Sequence, residues 1–258
     1  MAKSTLNLAS RTAVVVGGTS GIGLALATGL AEAGADVIPT GRRPDLVERA
    51  AAEIRDLGRR SLAATCDVTD RASLEQFRDR VAKEFDAVDI LVNCAGITMK
   101  MPTLEVRERD WNRVVETNLN GTLHTCQIFG RLMIERRYGR IINIASLASF
   151  AGFYEVAAYG ASKSAVVSLT KTLAVEWAKH GVCVNAIAPG VFCTDLNRAL
   201  LDGTARGQEA LMRTPMGRFG QVEELVGAAV FLASEAASFV TGHVLTVDGG
   251  FLASGMNQ

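Results

Sequence analysis

The sequence carries no excess of either charge. Its 27 basic residues balance its 27 acidic ones, so the molecule as a whole offers no field that would draw in nucleic acid or an anionic membrane. No apolar run approaches the roughly 18 residues of a membrane span. The opening Met1–Leu8 lacks the apolar centre of a signal peptide. The five cysteines (Cys66, Cys94, Cys126, Cys183, Cys193) are odd in number, scattered and without a Cys-x-x-Cys pair. That pattern argues against a disulfide framework or a zinc site and points to a reducing, cytoplasmic setting. His124, His180 and His243 have no partner at ligand spacing, so no metal is expected. No proline- or serine-rich linker, repeat or low-complexity stretch divides the chain.

What is present is an alternation. Strand-like runs fall at Thr12–Gly17, Asp36–Thr40, Ser61–Cys66, Ile90–Asn93, Arg140–Ala145, Val182–Ala188 and Val244–Val247. Several are almost continuous in Val, Ile, Leu or Ala, as expected of strands covered on both faces. Longer helix-like stretches lie between them, at Asp45–Leu57, Ser73–Phe85, Trp111–Arg136, Ala157–Lys179 and Gln221–Ser234. Such a βαβα order predicts a parallel sheet with helices on both faces. With 48% hydrophobic residues and a mean hydropathy of +0.20 to fill a core, the expectation is one doubly wound α/β domain, residues 1–258, on seven parallel strands.

The first strand runs into Val16-Gly17-Gly18-Thr19-Ser20-Gly21-Ile22-Gly23, with helical residues after it. Glycines at a strand-to-helix turn allow positive φ and a close backbone approach, and the free N–H groups of the new helix suit a pyrophosphate. Taken alone, such a turn could merely permit tight helix packing. Farther on, Tyr159 and Lys163 stand four residues apart at the start of a helix-like segment, about one turn, and so share a face. Free tyrosine, with a pKa of about 10, is a poor acid at neutral pH, but a neighbouring cation lowers that value. Such a tyrosine can protonate a developing alkoxide or take an alcohol's proton in reverse. Ser146 closes an apolar strand 13 residues before Tyr159, where ligands of open α/β sheets bind; by itself it could equally be a helix cap.

Together with Asp67-Val68, Asn93-Cys94-Ala95-Gly96, Asn118 and Pro189-Gly190, these residues occur in an order and spacing that resembles the short-chain dehydrogenase/reductase family, in its branch of about this chain's length. The match runs from about Leu8 to Gly250. The resemblance implies a Rossmann-like fold, a nicotinamide cofactor, and interconversion of a ketone with a secondary alcohol. It implies Tyr159 as general acid/base, Ser146 orienting the substrate oxygen, Lys163 holding the nicotinamide ribose, and Asn118 linking the lysine to solvent through a water. The cofactor site would take Gly17, Thr19, Ser20, Gly21, Ile22 and Gly23 at the phosphates, and Asp67 and Val68 at the adenine. Asn93, Ala95 and Gly96 would lie beneath the ribose, with Pro189, Gly190, Val191 and Thr194 at the carboxamide. Taken singly, Asp67 could be a turn residue, Asn118 a helix-interior polar residue and Pro189-Gly190 a plain loop. Two positions depart from the family. Val16 stands where it usually has threonine, which removes a polar contact behind the turn, and Cys94 replaces an asparagine. Members of this branch are commonly homotetramers built on the helices matching Trp111–Arg136 and Ala157–Lys179 and on the last strand with its tail; the tail here, Val247–Met256, is apolar for a terminus.

The second strand ends Ile38-Pro39-Thr40-Gly41-Arg42-Arg43, without the acid that an NAD site places about 20 residues past the glycine turn. Arg42 can pair with a 2′-phosphate and Arg43 can add to the field, so NADP(H) is the expected cofactor, with NAD(H) possible because Ser20 stands where NADP-using relatives often carry a second cation. Two arginines could also be a solvated loop. The segment 190–220, with Asn197, Arg198, Arg206, Arg213 and Arg218, resembles that of the family's sugar-acid and polyol enzymes, and its arginines could meet a substrate carboxylate. The alternative is a 3-oxoacyl thioester or another hydrophobic carbonyl. A nucleotide sensor without turnover would be expected to have lost Tyr159 or Lys163.

Overall fold

The computed structural model describes residues 5–194, 201 and 203–255. Fourteen elements carry the argument: β1 Thr12–Val16, α1 Gly21–Glu32, β2 Asp36–Thr40, α2 Pro44–Asp56, α3 Arg71–Glu84, β3 Ile90–Asn93, α4 Glu108–Val115, α5 Gly121–Arg136, β4 Gly139–Ile144, α6 Ala157–Trp177, β5 Val182–Pro189, α7 Ala205–Arg213, α8 Val226–Ala233 and β6 Val244–Val247. The strands form one sheet in the order β2-β1-β3-β4-β5-β6, with every neighbouring pair parallel. Apolar residues alternate between its faces. Val14 and Val16 join Leu74, Phe77, Phe129, Met133 and Leu173 on one side, whereas Ala13 and Val15 join Leu26, Leu30, Ala229 and Leu232 on the other. Burial on both faces is why these strands read as continuous apolar runs. Chain order reverses at β1, which sends its neighbours β2 and β3 to opposite sides. A crevice therefore opens beyond the carboxyl ends of β1 and β3.

Six strands are present among the described residues, where seven were expected. The missing one, Ser61–Cys66, does run along the outer edge of β2. Val37 N–H donates to Arg60 O at 3.1 Å and Cys66 N–H to Gly41 O at 2.9 Å. Pro39, two residues beyond Val37 and facing the same edge, has no N–H to supply the rung between them. The Thr40 hydroxyl instead bonds Ala64 O at 2.6 Å, so the segment is held as an extended cover rather than a ladder.

The long helix expected at Trp111–Arg136 begins earlier, at Glu108, and is interrupted by a π turn at Glu116–Asn120. It ends on Arg137 in the left-handed region, φ 55°. The expected Gln221–Ser234 helix opens as a 3₁₀ turn, Val222–Leu225, closed by a Gln221/Glu224 capping box. Segment 190–220 leaves the end of β5, carries α7, and returns through a bridge between Phe192 and Gly220. Asn197 and Arg198 lie outside the described residues, as does Met256 in the tail.

Candidate active site

The glycine turn is tied to its neighbours by the backbone. Gly17 and Gly18 both donate to Thr40 O, at 2.9 and 3.1 Å, which sets the turn beside the end of β2. Gly17 has φ +80°, and a Cβ there would stand 2.6 Å from Ala95 N; only glycine lets the turn cross the segment after β3 this closely. Ser20 is the N-cap of α1 and makes no side-chain capping bond, so its hydroxyl leaves the first N–H groups of the helix uncapped. Thr19 reaches toward Gly41, and Arg42 and Arg43 follow it, exposed; Arg43 O accepts from Val47 N–H at 3.0 Å, and neither guanidinium has a hydrogen bond or ion pair among the described residues. Asp36, the nearest acid of β2, sits at the other end of the strand and accepts from Arg60 N–H at 2.9 Å. A pyrophosphate fits this cradle, and the region beside it is cationic. Val16, where a polar contact was lost, is buried in the core.

Asp67 holds a tight turn, its Oδ1 accepting from Thr69 N and Thr69 Oγ1 at 3.0 and 2.8 Å. Val68 is buried against Gly121 at the start of α5. The Asn93 side chain is turned into the core: its Nδ2 donates to Asn143 Oδ1 at 2.9 Å and its Oδ1 accepts from Thr125 at 2.7 Å. Only its backbone is placed toward the crevice, through Cys94-Ala95-Gly96. At the far side, Pro189 ends β5 in register with Val247, and Gly190 N–H bonds Val247 O at 2.8 Å. The loop then carries Val191 to Thr194, whose methyl lies near Gly21 at the start of α1.

Asn118 sits fully buried in the π turn, a helix irregularity that occurs frequently at functional sites. Its side chain accepts from Ile97 N at 2.8 Å and donates to Ile97 O at 2.9 Å and to Ser162 Oγ at 3.1 Å. Ser162 in turn bonds Tyr159 O at 2.8 Å. Lys163 Nζ donates to Ile144 O at 2.6 Å, and Gly96 packs beside both Asn118 and the lysine. The Tyr159 hydroxyl faces Ser146, which caps the following 3₁₀ turn through Ala148 N–H at 3.1 Å. The cap reading of Ser146 is thus borne out, with its hydroxyl placed beside Tyr159.

The electrostatics correct one expectation. Burial raises the Tyr159 phenol above its ordinary value; the Ser146 hydroxyl beside it opposes this and the Cys94 thiol adds to it. The lysine does not lower it in the chain alone. Its ammonium is aimed at Ile144 O, 5.9 Å from the Tyr159 ring centre, and burial pushes Lys163 itself down to about 8. Cys94, half-buried near Lys163, is pushed up by desolvation to about 11 and stays a neutral thiol.

A second expectation concerned the arginines of segment 190–220. Arg213 is paired with Glu209 at 2.9 Å, and Arg218 grips Glu224 through two bonds of 2.6 and 2.8 Å. Arg206 reaches Tyr154 O at 3.5 Å. In the chain itself Arg213 and Arg218 thus each face a glutamate, in exposed pairs that are worth little. The five cysteines are free thiols, and no cluster of three or more potential metal ligands gathers among the described residues.

A parallel sheet reversing at a glycine turn, with a Ser-Tyr-Lys set across the crevice, is the arrangement of a dinucleotide-dependent oxidoreductase. A family model described as enoyl-(acyl carrier protein) reductase matches residues 16–252. Gluconate 5-dehydrogenase of Gluconobacter oxydans (strain 621H) is 41% identical over 96% of this chain and 97% of its own. The 2-dehydro-3-deoxy-D-gluconate 5-dehydrogenase of Bacillus subtilis (strain 168) is 43% identical over 95% and 96%. The crystal structure of a gluconate 5-dehydrogenase from Burkholderia cenocepacia J2315, in complex with NADP and tartrate, superposes with a TM-score of 0.94 at 42% identity, over 97% of this chain and 98% of that one. The chain belongs to the short-chain dehydrogenase/reductase family of NAD(P)-dependent oxidoreductases.

Proposed function

We propose that the protein is an NADP(H)-preferring enzyme interconverting a ketone and a secondary alcohol on a small sugar acid. The observation that carries this is the meeting of Ser146, at the end of β4, with the Tyr159 hydroxyl, and of Lys163 one turn along the same helix face. The nicotinamide, when bound, supplies or accepts the hydride. Ser146 holds the substrate oxygen, Tyr159 gives it a proton as it becomes an alkoxide, and Lys163 with Asn118 returns that proton from solvent. The glycine turn and the start of α1 hold the pyrophosphate, and Arg42 with Arg43 favours a 2′-phosphate. The remaining cofactor contacts are those assigned to Asp67, Val68, Ala95, Gly96 and the 189–194 loop, with Asn93 acting through its backbone. One domain spans residues 1–258, with 190–220 as its substrate-loop segment. The sugar-acid class rests on the names of the relatives.

Nicotinamide absorbance followed with keto sugar acids, neutral polyols and a 3-oxoacyl thioester tests the reading. Sugar acids are expected to give the highest kcat/KM. Turnover of the thioester with none of the sugar acids would favour the 3-oxoacyl reductase alternative, and no turnover of any carbonyl would leave a nucleotide-binding protein.

The expected assembly is a homotetramer. Val175 on α6 stays largely exposed, which fits an apolar helix face meeting a neighbour. The tail is half-buried on its own chain, with Phe251 stacked on Phe153 at 5.9 Å. Light scattering at micromolar protein should return four times the chain mass; a monomer mass would contradict this. No helix among the described residues is long and apolar enough to cross a membrane, and the free thiols suit the cytoplasm. Recovery of the protein in an oxidising compartment on cell fractionation would contradict that placement.

A further inference from the structure

Four polar side chains are buried between the sheet and the helices behind the active site, outside every role assigned so far. Thr125, Asn143 and Thr170 are fully buried and Asn93 nearly so. They form one directed chain. Thr125 Oγ1 donates to Asn93 Oδ1 at 2.7 Å, Asn93 Nδ2 to Asn143 Oδ1 at 2.9 Å, Asn143 Nδ2 to Thr170 Oγ1 at 2.9 Å, and Thr170 Oγ1 to Val166 O at 2.8 Å. The chain crosses from α5 through β3 and β4 to α6. Isosteric apolar residues would fill the same space without desolvating amides and hydroxyls. A satisfied buried network instead specifies one arrangement of the elements it joins.

That arrangement bears on the catalytic groups. Thr170 lies two turns beyond Lys163 on α6, about 10.5 Å along the axis and on the same face. Asn143, which holds Thr170, directly precedes Ile144, whose carbonyl holds Lys163 Nζ at 2.6 Å. The end of β4 thus grips α6 at two heights. Asn93 also fixes the start of the Cys94–Gly96 turn, which packs on Lys163. We propose that Asn143 and Thr170 are positioning residues that set the axial register of α6 against β4, and through it the placement of Lys163 and Tyr159 for proton transfer. The proposal rests on the catalytic roles given above to Lys163 and Tyr159. A misplacement of about 1 Å can cost roughly 10²-fold in rate, so loss of one anchor is enough to be measured.

The test uses the full-length protein. Thr170→Val keeps shape and removes the hydroxyl. It is expected to lower kcat about tenfold or more, to leave both KM values within about twofold, and to move the pH midpoint of kcat. Thr170→Ser should restore all three. Should Thr170→Val not fold, Thr170→Ala removes the same hydroxyl with less bulk and no added charge and is read in the same way. Wild-type kcat and pH profile in a folded variant, with or without a lower Tm, would overturn the proposal and leave the chain a stabilising feature. Lys163→Met is run alongside: if it retains wild-type turnover the catalytic reading itself fails, whereas its loss together with an unaffected Thr170→Val sinks only the register proposal.

Discussion

Replacing Tyr159 by phenylalanine is expected to lower kcat by a factor on the order of 10²–10⁴ while leaving NADPH binding nearly intact. The substitution removes one oxygen, the hydroxyl that faces Ser146. The ring and the packing of α6 stay, and Lys163 keeps its bond to Ile144 O. What is lost is the proton donor at the substrate oxygen. Turnover above half the wild-type level, with the cofactor still bound, would remove Tyr159 from its role.

The second large effect concerns the cofactor. Arg42→Ala should weaken NADPH by at least about tenfold and NADH far less, because the lost group is a charged donor to the 2′-phosphate that NADH lacks. Arg42 is exposed at the end of β2, and no partner within the described residues competes for it. Parallel kcat/KM measurements decide the matter. A wild-type preference for NADH, or an equal loss with both cofactors, would show Arg42 and Arg43 to be a solvated loop.

Much of the fold was legible because hydrophobic periodicity is a local signal. The strands at Asp36–Thr40, Ile90–Asn93 and Val244–Val247 are bounded as the residues suggested. The seventh strand was lost to a property of its neighbour: Ser61–Cys66 is extended, but Pro39 on β2 withholds the rung. Motif spacing placed Ser146, Tyr159 and Lys163 together because four residues in a helix and a strand-end serine are also local geometry. Charge is different. The arginines at positions 213 and 218 read as candidate carboxylate ligands, and the fold pairs them with Glu209 and Glu224. The direction of the Tyr159 shift was misjudged for a related reason. Sequence gives the neighbour four residues away, but burial, and where the ammonium points, belong to the folded chain. The Asn93–Asn143–Thr170 chain was missed although one sign of it was visible: Asn143 interrupts Arg140-Ile141-Ile142-Asn143-Ile144, a strand buried on both faces, where a polar residue needs a partner.

The account rests on direct hydride transfer between a nicotinamide and the carbonyl carbon of a sugar acid. The most direct test is to run the keto sugar acid reaction with NADPH carrying deuterium on the transferred face of C4 and to locate the label by mass spectrometry and NMR. The account predicts one deuterium on the new carbinol carbon, with the hydroxyl proton drawn from solvent. Product without deuterium at that carbon, or oxidation of the cofactor without formation of the alcohol, would contradict it.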